Sequence, residues 1–219
     1  MTKSLALALI TSVALATWSH HAQAAVVLSD DFTSMGQVPT ANFSGDSVFT
    51  SIPSPSVPGS SSVDLVGSVN GSNFPSLAPS TTLNAVDLDG SEGTGFSPSG
   101  DLQSNMSLST GNYVVSFLLA GNMRGAPPQT TTISIGEQSF ALTLPSSQGY
   151  TLFTHTFTNA SGFLSFVESG PASQQGSLLA DVSVSTVPEA STWVMMVLGF
   201  AGLGFAGYRR ARRAAFSVG

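Results

Sequence analysis

The chain has 219 residues, with six lysines and arginines, twelve aspartates and glutamates, a formal charge of −6 and no cysteine. Without cysteine there is no disulfide framework, thiolate metal site or cysteine nucleophile, so stability has to come from an apolar core or from bound ions. Between Ala25 and Pro188 only Arg124 stands against eleven acids, a formal charge of about −10, and a surface this acidic repels phosphate backbones and excludes nucleic acid as a partner.

Residues 1–24 open with Lys3, continue through an apolar run from Leu5 to Ala16 broken only by Thr11 and Ser12, and end on Ala22-Gln23-Ala24. A positive end, a short apolar segment and small residues at the last positions are the order of a signal peptide, which predicts cleavage after Ala24 by a signal peptidase. The run is shorter than the roughly 18–20 apolar residues a membrane anchor requires.

Residues 25–186 are expected to form an exported β-domain. Its first part, 25–80, is rich in Ser, Pro, Gly and Asn and reads as loop-rich, with short strands at Val48 to Ser51 and Val63 to Val69. Its second part, 81–186, carries clear period-2 patterns. Tyr113, Val115, Phe117 and Leu119 alternate with residues that are themselves mostly apolar, which predicts a central strand. Phe140, Leu142 and Leu144 alternate with Ala141 and Thr143, as in a strand with one covered face. Thr151 to Phe157, Gly162 to Val167 and Leu178 to Val184 repeat the theme. Short strands at such spacing predict an all-β fold, an antiparallel β-sandwich or jelly roll. A β-solenoid is the alternative, but no repeat of fixed length supports it.

The chemistry-bearing residues are sparse. His155 is the one histidine of the domain and shares a strand face with Phe153 and Phe157, which reads as space filling. No Gly-x-Ser-x-Gly elbow marks a serine, and no motif orients any pair among Glu92, Glu137, Glu168 and the aspartates for glycoside hydrolysis. The catalytic set is therefore empty, and the chain is expected not to be an enzyme. Asp87, Asp89 and Glu92 form the densest acidic cluster and are the candidate ligands for a structural calcium, with solvated turn acids as the other reading. Asp30, Asp31 and Asp181 could combine at the sheet edges for the same purpose. No other cofactor is expected. Arg124 and Asn122, in a loop closed by Pro127 and Pro128, are the candidate glycan contacts.

After the domain, Val187, Pro188 and Glu189 precede an uncharged stretch from Thr192 to Tyr208 and then Arg209, Arg210, Arg212 and Arg213. Seventeen helical residues reach roughly 25 Å, near the lower limit for a bilayer core. The arginines should act as a stop-transfer cluster on the cytoplasmic side, with 214–219 as the cytoplasmic end.

This tail, 187–213, resembles the PEP-CTERM sorting signal. The resemblance implies an exosortase-type membrane protease as partner, transient insertion of helix 192–208 in the inner membrane, and transfer of the domain to the cell envelope or the extracellular polysaccharide matrix. The middle of the chain also resembles choice-of-anchor C type exported proteins. The matching blocks are Ser62 to Gly67, Val86-Asp87-Leu88-Asp89-Gly90-Ser91, Gly111 to Asn122 and Gly176 to Val184. That resemblance implies a galactose-binding-like jelly roll of the kind found in carbohydrate-binding modules. Tyr150 and Phe153 stand where the pattern has a tryptophan. The expected function is that of a noncatalytic exported protein associated with polysaccharide, the alternatives being a polysaccharide hydrolase and a purely structural matrix protein.

Overall fold

The computed structural model describes residues 24–34, 42–52, 63–67, 74–90, 100–171, 173–187 and 190–216. Ten strands and one long helix follow one another as β1 (Val26–Asp30), β2 (Asn42–Phe43), β3 (Phe49–Ile52), β4 (Val63–Gly67), β5 (Asn84–Asp87), β6 (Asp101–Ala120), β7 (Gln129–Ile135), β8 (Gln138–Leu144), β9 (Thr151–Ser169), β10 (Leu178–Thr186) and α1 (Ala190–Phe216).

Every strand pair is antiparallel. The registers separate the strands into two layers that share their longest members. In one layer β2, β4, β5 and β1 lead to β10, which pairs with the second half of β6, and Tyr113 to Leu119 of β6 pair with Phe157 to Thr151 of β9. In the other, β3 pairs with the start of β6, Asp101 to Gln103 pair with Val167 to Ser165, and β7 and β8 follow beyond β9. The β6/β9 ribbon thus crosses from layer to layer. Its register slips between Gln103 and Ser107 and again on either side of Gly111, and such bulges bend a strand and increase its twist. The bend requires glycine on β9: Gly162 has φ +121, and a Cβ there would lie 2.9 Å from the Cα of Gly136 in the β7/β8 turn.

The space between the layers is filled by aromatic side chains. Phe43, Phe32, Phe49, Phe166, Phe117 and Phe153 form a continuous series of ring contacts, with centroids 5.3 to 6.3 Å apart. The Phe117 and Phe166 rings meet edge to face across the layers. Burying each such ring stabilises the fold by about 1.5–3 kcal/mol, and an edge-to-face pair adds about 0.5–1.5 kcal/mol. This packing supplies the stability that no disulfide can, since the chain has no cysteine.

Each expected strand has a counterpart, Val63 to Val69 only as far as Gly67, beyond which the chain lies outside the described residues, and β1, β2 and β5 are additions. Thr151 to Phe157 and Gly162 to Val167 belong to one strand, β9, and β7 was not foreseen at all. The loop-rich first part supplies β1 to β4, and every residue of β4 is buried. The helix expected over 192–208 runs instead from Ala190 to Phe216 and carries the arginine cluster within it. Met195, Val197, Leu198, Leu203 and Phe205 on it are 60–69% exposed. Among the described residues no helix is long and apolar enough to cross a membrane. Gly199, Gly202, Gly204 and Gly207 thin its apolar content. The signal-peptide expectation falls on residues outside those described, apart from Ala24.

Candidate functional site

The residues with chemical capacity gather in two acidic groups. The first lies where β1 ends. Asp30 Oδ1 accepts the Phe32 amide at 2.8 Å, which helps hold Phe32 at φ 57 so that its ring turns into the core. Asp31 caps the next turn, accepting from the Thr33 amide at 3.0 Å and the Thr33 hydroxyl at 2.6 Å. Asp46, in the turn before β3, accepts the amides of Val48 and Phe49 at 2.7 and 2.8 Å. Asp181 sits at φ 47 where the register of β10 slips. Ser29, Ser34 and Ser47 join Asp30, Asp31 and Asp181 around an open cleft of about 400 Å³.

The carboxyl groups of Asp30 and Asp46 lie close enough to interact, and Oδ2 of each is buried without a hydrogen-bond partner. Burial is the main reason that the Asp30 carboxyl is pushed up to about 7, followed by its interaction with the Asp46 carboxyl. The Phe32 amide opposes the shift, while the charges of Asp46 and Asp31 add to it. Burial of the Asp30 carboxyl favours either its proton or a bound cation. The donor chemistry suits a hard cation such as calcium, which takes carboxylate and carbonyl oxygens. The side chains stop at a pair, however: among the described residues no three acids or histidines converge closely enough to hold a metal ion by themselves.

The second group joins residues that the sequence assigned to separate sites. Arg124 Nη2 donates to Asp87 Oδ2, with the Asp87 side chain 2% and the Arg124 side chain 24% exposed. Asp87 Oδ1 accepts the amides of Asp89 at 3.1 Å and Gly176 at 2.7 Å. Burial pushes Asp87 up to about 7 against the pull of the guanidinium. Asp89 Oδ2 accepts the amide and hydroxyl of Ser173 at 2.9 and 3.1 Å, and its Oδ1 is buried without a partner. Both oxygens of Glu168 accept the Ser177 amide, at 3.0 and 2.9 Å. Its carboxyl is raised well above the usual range by burial, and the charges of Asp87 and Asp89 add to the rise.

Of the expected calcium trio, Asp87 has both oxygens engaged, one of them by a cation of the protein's own, Asp89 keeps one oxygen without a partner, and Glu92 lies outside the described residues. The expected glycan contacts take part in the loop's own bonding. Asn122 is 1% exposed; its amide donates to the carbonyls of Ala126 and Pro127, and its Oδ1 accepts from the Arg124 amide and the Ser146 hydroxyl. Asn122 braces the loop, and Arg124 is turned inward on Asp87. Beside them Met123, Gly125, Pro128, Ser146 and Ser147 line a second cleft of about 610 Å³.

His155 fills space as expected, stacking on Phe140 at 3.9 Å and meeting Phe157 edge-on at 4.9 Å. Tyr150 donates its hydroxyl to the Leu77 carbonyl at 2.6 Å, and burial pushes the pKa of its phenol up, further from neutrality. It is a structural anchor, not an open stacking platform. The sequence had brought Asp30, Asp31 and Asp181 together but missed Asp46, whose signal was the Gly45-Asp46-Ser47 turn just ahead of a strand. Of the sorting residues, Val187 donates its amide to the Asn112 carbonyl at 2.8 Å. Pro188 and Glu189 lie outside the described residues, while Arg209, Arg210, Arg212 and Arg213 fall on α1.

No protein-family model matches the chain, and no curated protein matches it significantly. Among solved structures, the K3 cleaved adhesin domain of the Lys-gingipain of Porphyromonas gingivalis w83 is 16% identical, the match covering 75% of this chain and 100% of that one at a TM-score of 0.49. The C-terminal CBM6 of LamC from Zobellia galactanivorans is 14% identical over 63% of this chain and 99% of that one, at 0.33. A carbohydrate-binding module of the Cellvibrio mixtus lichenase 5A, in complex with cellotriose, is 16% identical over 48% and 79%, at 0.29. With TM-scores below 0.5, these likenesses leave the fold to be argued from the strand registers themselves.

Proposed function

We propose that the chain is a noncatalytic exported protein whose β-sandwich is released from both ends and retained in the cell envelope or the extracellular polysaccharide. One observation carries this reading. The Ala25 amide donates to the Thr186 hydroxyl at 3.2 Å, and the Thr186 amide donates to the Ala25 carbonyl at 2.9 Å. The first residue after the expected signal-peptide cut is thereby tied to the last strand, one residue before the Val187-Pro188-Glu189 motif. A signal peptidase and an exosortase-type protease acting at those points would leave every strand in place. The helix and its arginines are then the part removed.

Within this reading the sandwich belongs to the galactose-binding-like jelly rolls, and polysaccharide is its partner. The Asp30/Asp46 pair is the better place for a structural calcium, with Asp31 and Asp181 at the same cleft. A polysaccharide hydrolase is less well supported. Asp30 and Asp46 lie close enough to interact, whereas glycoside hydrolases hold their two carboxyl groups roughly 5–9.5 Å apart to admit the reacting centre.

The test is the mass of the protein recovered from its native host's envelope or medium. The expected product begins near Ala25 and lacks the helix. A recovered chain that still ends at Gly219 would sink the sorting reading.

A further inference from the structure

The outer edge of the β7/β8 hairpin has none of the devices that keep exposed strands apart. β8 is seven residues long, paired with β7 in unbroken register from Gln129↔Leu144 to Ile135↔Gln138, and among the described residues no further strand lies beyond it. It contains no charge, no proline and no bulge. Proteins normally blunt such edges with lysine, proline, a bulge or a very short strand. The edges at β2 and β3 are only two and four residues long, and the first half of β9, Thr151 to Phe157, is the other long free edge among the described residues. β8 is also incompletely covered: Phe140 and Leu142 point into the sandwich yet stay half-buried, packed against the core from its rim.

We infer that β8 is a self-association edge, pairing antiparallel with β8 of a second copy of this chain about a two-fold axis at Ala141. The two-residue Gly136-Glu137 turn makes Ile135↔Gln138 a hydrogen-bonded pair, so Ser139, Ala141 and Thr143 aim their free amides and carbonyls outward. An axis at Ala141 sets Ala141 opposite Ala141 and Ser139 opposite Thr143, giving about six main-chain hydrogen bonds, two at each of three paired positions. On the outer face only small side chains meet, since Ser139, Ala141 and Thr143 are all exposed. On the inner face Phe140 meets Leu142 of the other copy, covering both rims. The occupant is a copy and not a foreign strand because the edge complements itself in this register. The charge pattern agrees: each domain carries about −10, and this strand is where two of them approach with no like charges opposed. Glu137 falls opposite Pro145, so the two glutamates sit at opposite ends of the paired strands.

The full chain has no cysteine, so one introduced thiol gives an unambiguous reading. Ala141→Cys sets two thiols on the axis, where hydrogen-bonded partners have Cα atoms about 5.5 Å apart, inside the roughly 4.4–6.8 Å that a disulfide tolerates. Thr156→Cys, on the free edge formed by the first half of β9, reports pairing at that rival edge together with chance collision. In detergent-held full-length protein under a mild oxidant, A141C should form a covalent dimer roughly a hundredfold faster than T156C, because pairing raises the local thiol concentration from micromolar to millimolar. Register is read independently of A141C. Ser139→Cys alone should form no disulfide-linked dimer, since its own mate is four residues away, whereas S139C combined with Thr143→Cys should form one. Equal rates for A141C and T156C, or dimerisation of S139C alone as fast as the double variant, would overturn the proposal.

Discussion

Arg124 and Asp87 form an ion pair that locks the loop following β6 to the end of β5, and Arg124 is the one cation between Ala25 and Pro188. Its guanidinium also donates to the Asn122 carbonyl at 3.0 Å, so the same side chain holds the loop's shape and neutralises a carboxylate that is 1% exposed.

Removing Arg124 leaves Asp87 buried with two amide donors and no countercharge. Breaking a buried pair from one side costs about 3–5 kcal/mol where the partner must stay ionised. Asp87 can relieve part of that cost by taking up a proton, since its carboxyl already titrates near 7. Arg124→Ala is therefore expected to lower stability by roughly 2–3 kcal/mol at pH 8 and by clearly less at pH 5. Urea unfolding at the two pH values measures this. An equal loss at both would show that Arg124 acts through loop packing and not through charge.

The acidity of the fold as a whole has an unusual sign. Burial raises the carboxyls of Asp30 and Asp87 to about 7 and that of Asp101 to about 6, and it raises Glu168 as well. A group with a raised folded pKa binds its proton more tightly in the folded chain. Its stabilisation is complete below the unfolded value and is lost as pH rises through the folded value. The melting temperature of the domain is thus expected to fall between pH 5 and pH 8, the reverse of a domain held by ionised carboxylates. Melting curves across that range are the measurement, and a rise over the same interval would contradict the assignment.

Calcium should counter that fall. A cation at the Asp30/Asp46 pair favours the ionised carboxylates of the folded chain, and binding to the folded state alone adds about 2.7 kcal/mol when the free ion reaches a hundred times its dissociation constant. Millimolar calcium is expected to raise the melting temperature at pH 8 relative to a chelator, and Asp46→Asn is expected to abolish the difference. If wild type melts at the same temperature in calcium and in chelator, the metal reading fails. If D46N keeps the full response, the ion sits elsewhere.

The period-2 pattern of Tyr113 to Leu119 was legible because the strand is covered on both faces, and that of Phe140 to Leu144 because one face is open. β7 escaped notice because Thr131, which is fully buried, and Gln129, which is 1% exposed, occupy inward positions, where the pattern relies on apolar residues. The single course of β9 escaped for another reason. Asn159, Ser161 and Gly162 read as a turn in sequence, yet here they bend a strand whose ends lie in different layers. The acidic cleft was half legible: Asp30 and Asp31 adjoin, but their contact with Asp46 depends on β1 and β3 meeting around Phe32 and Phe49. The pairing of Asp87 with Arg124 spans 37 residues, and no local pattern announces it.

The tail gives the most direct prediction. β10 ends at Thr186, the Val187 amide is held by the Asn112 carbonyl, and the helix begins at Ala190, so the proposed sorting motif falls in sequence between the last strand and the helix. Pro188 lacks an amide proton and disfavours helical backbone at Val187, which keeps the helix from growing back into the motif. A protease needs extended chain, and this stretch is where the tail can offer it. Changing Pro188 and Glu189 together to alanine removes the break and allows α1 to extend toward Val187. The expected result is a chain that stays uncleaved with its helix attached, visible as a heavier species in the membrane fraction of the native host. Replacing Arg209, Arg210, Arg212 and Arg213 with glutamate tests the other end of the same device. Anionic residues no longer favour the cytoplasmic side, so retention should weaken and the uncut chain should appear in the medium. If the alanine pair is processed as efficiently as the wild type, recognition does not run through Pro188 and Glu189, and the tail is an anchor or a linker of another kind.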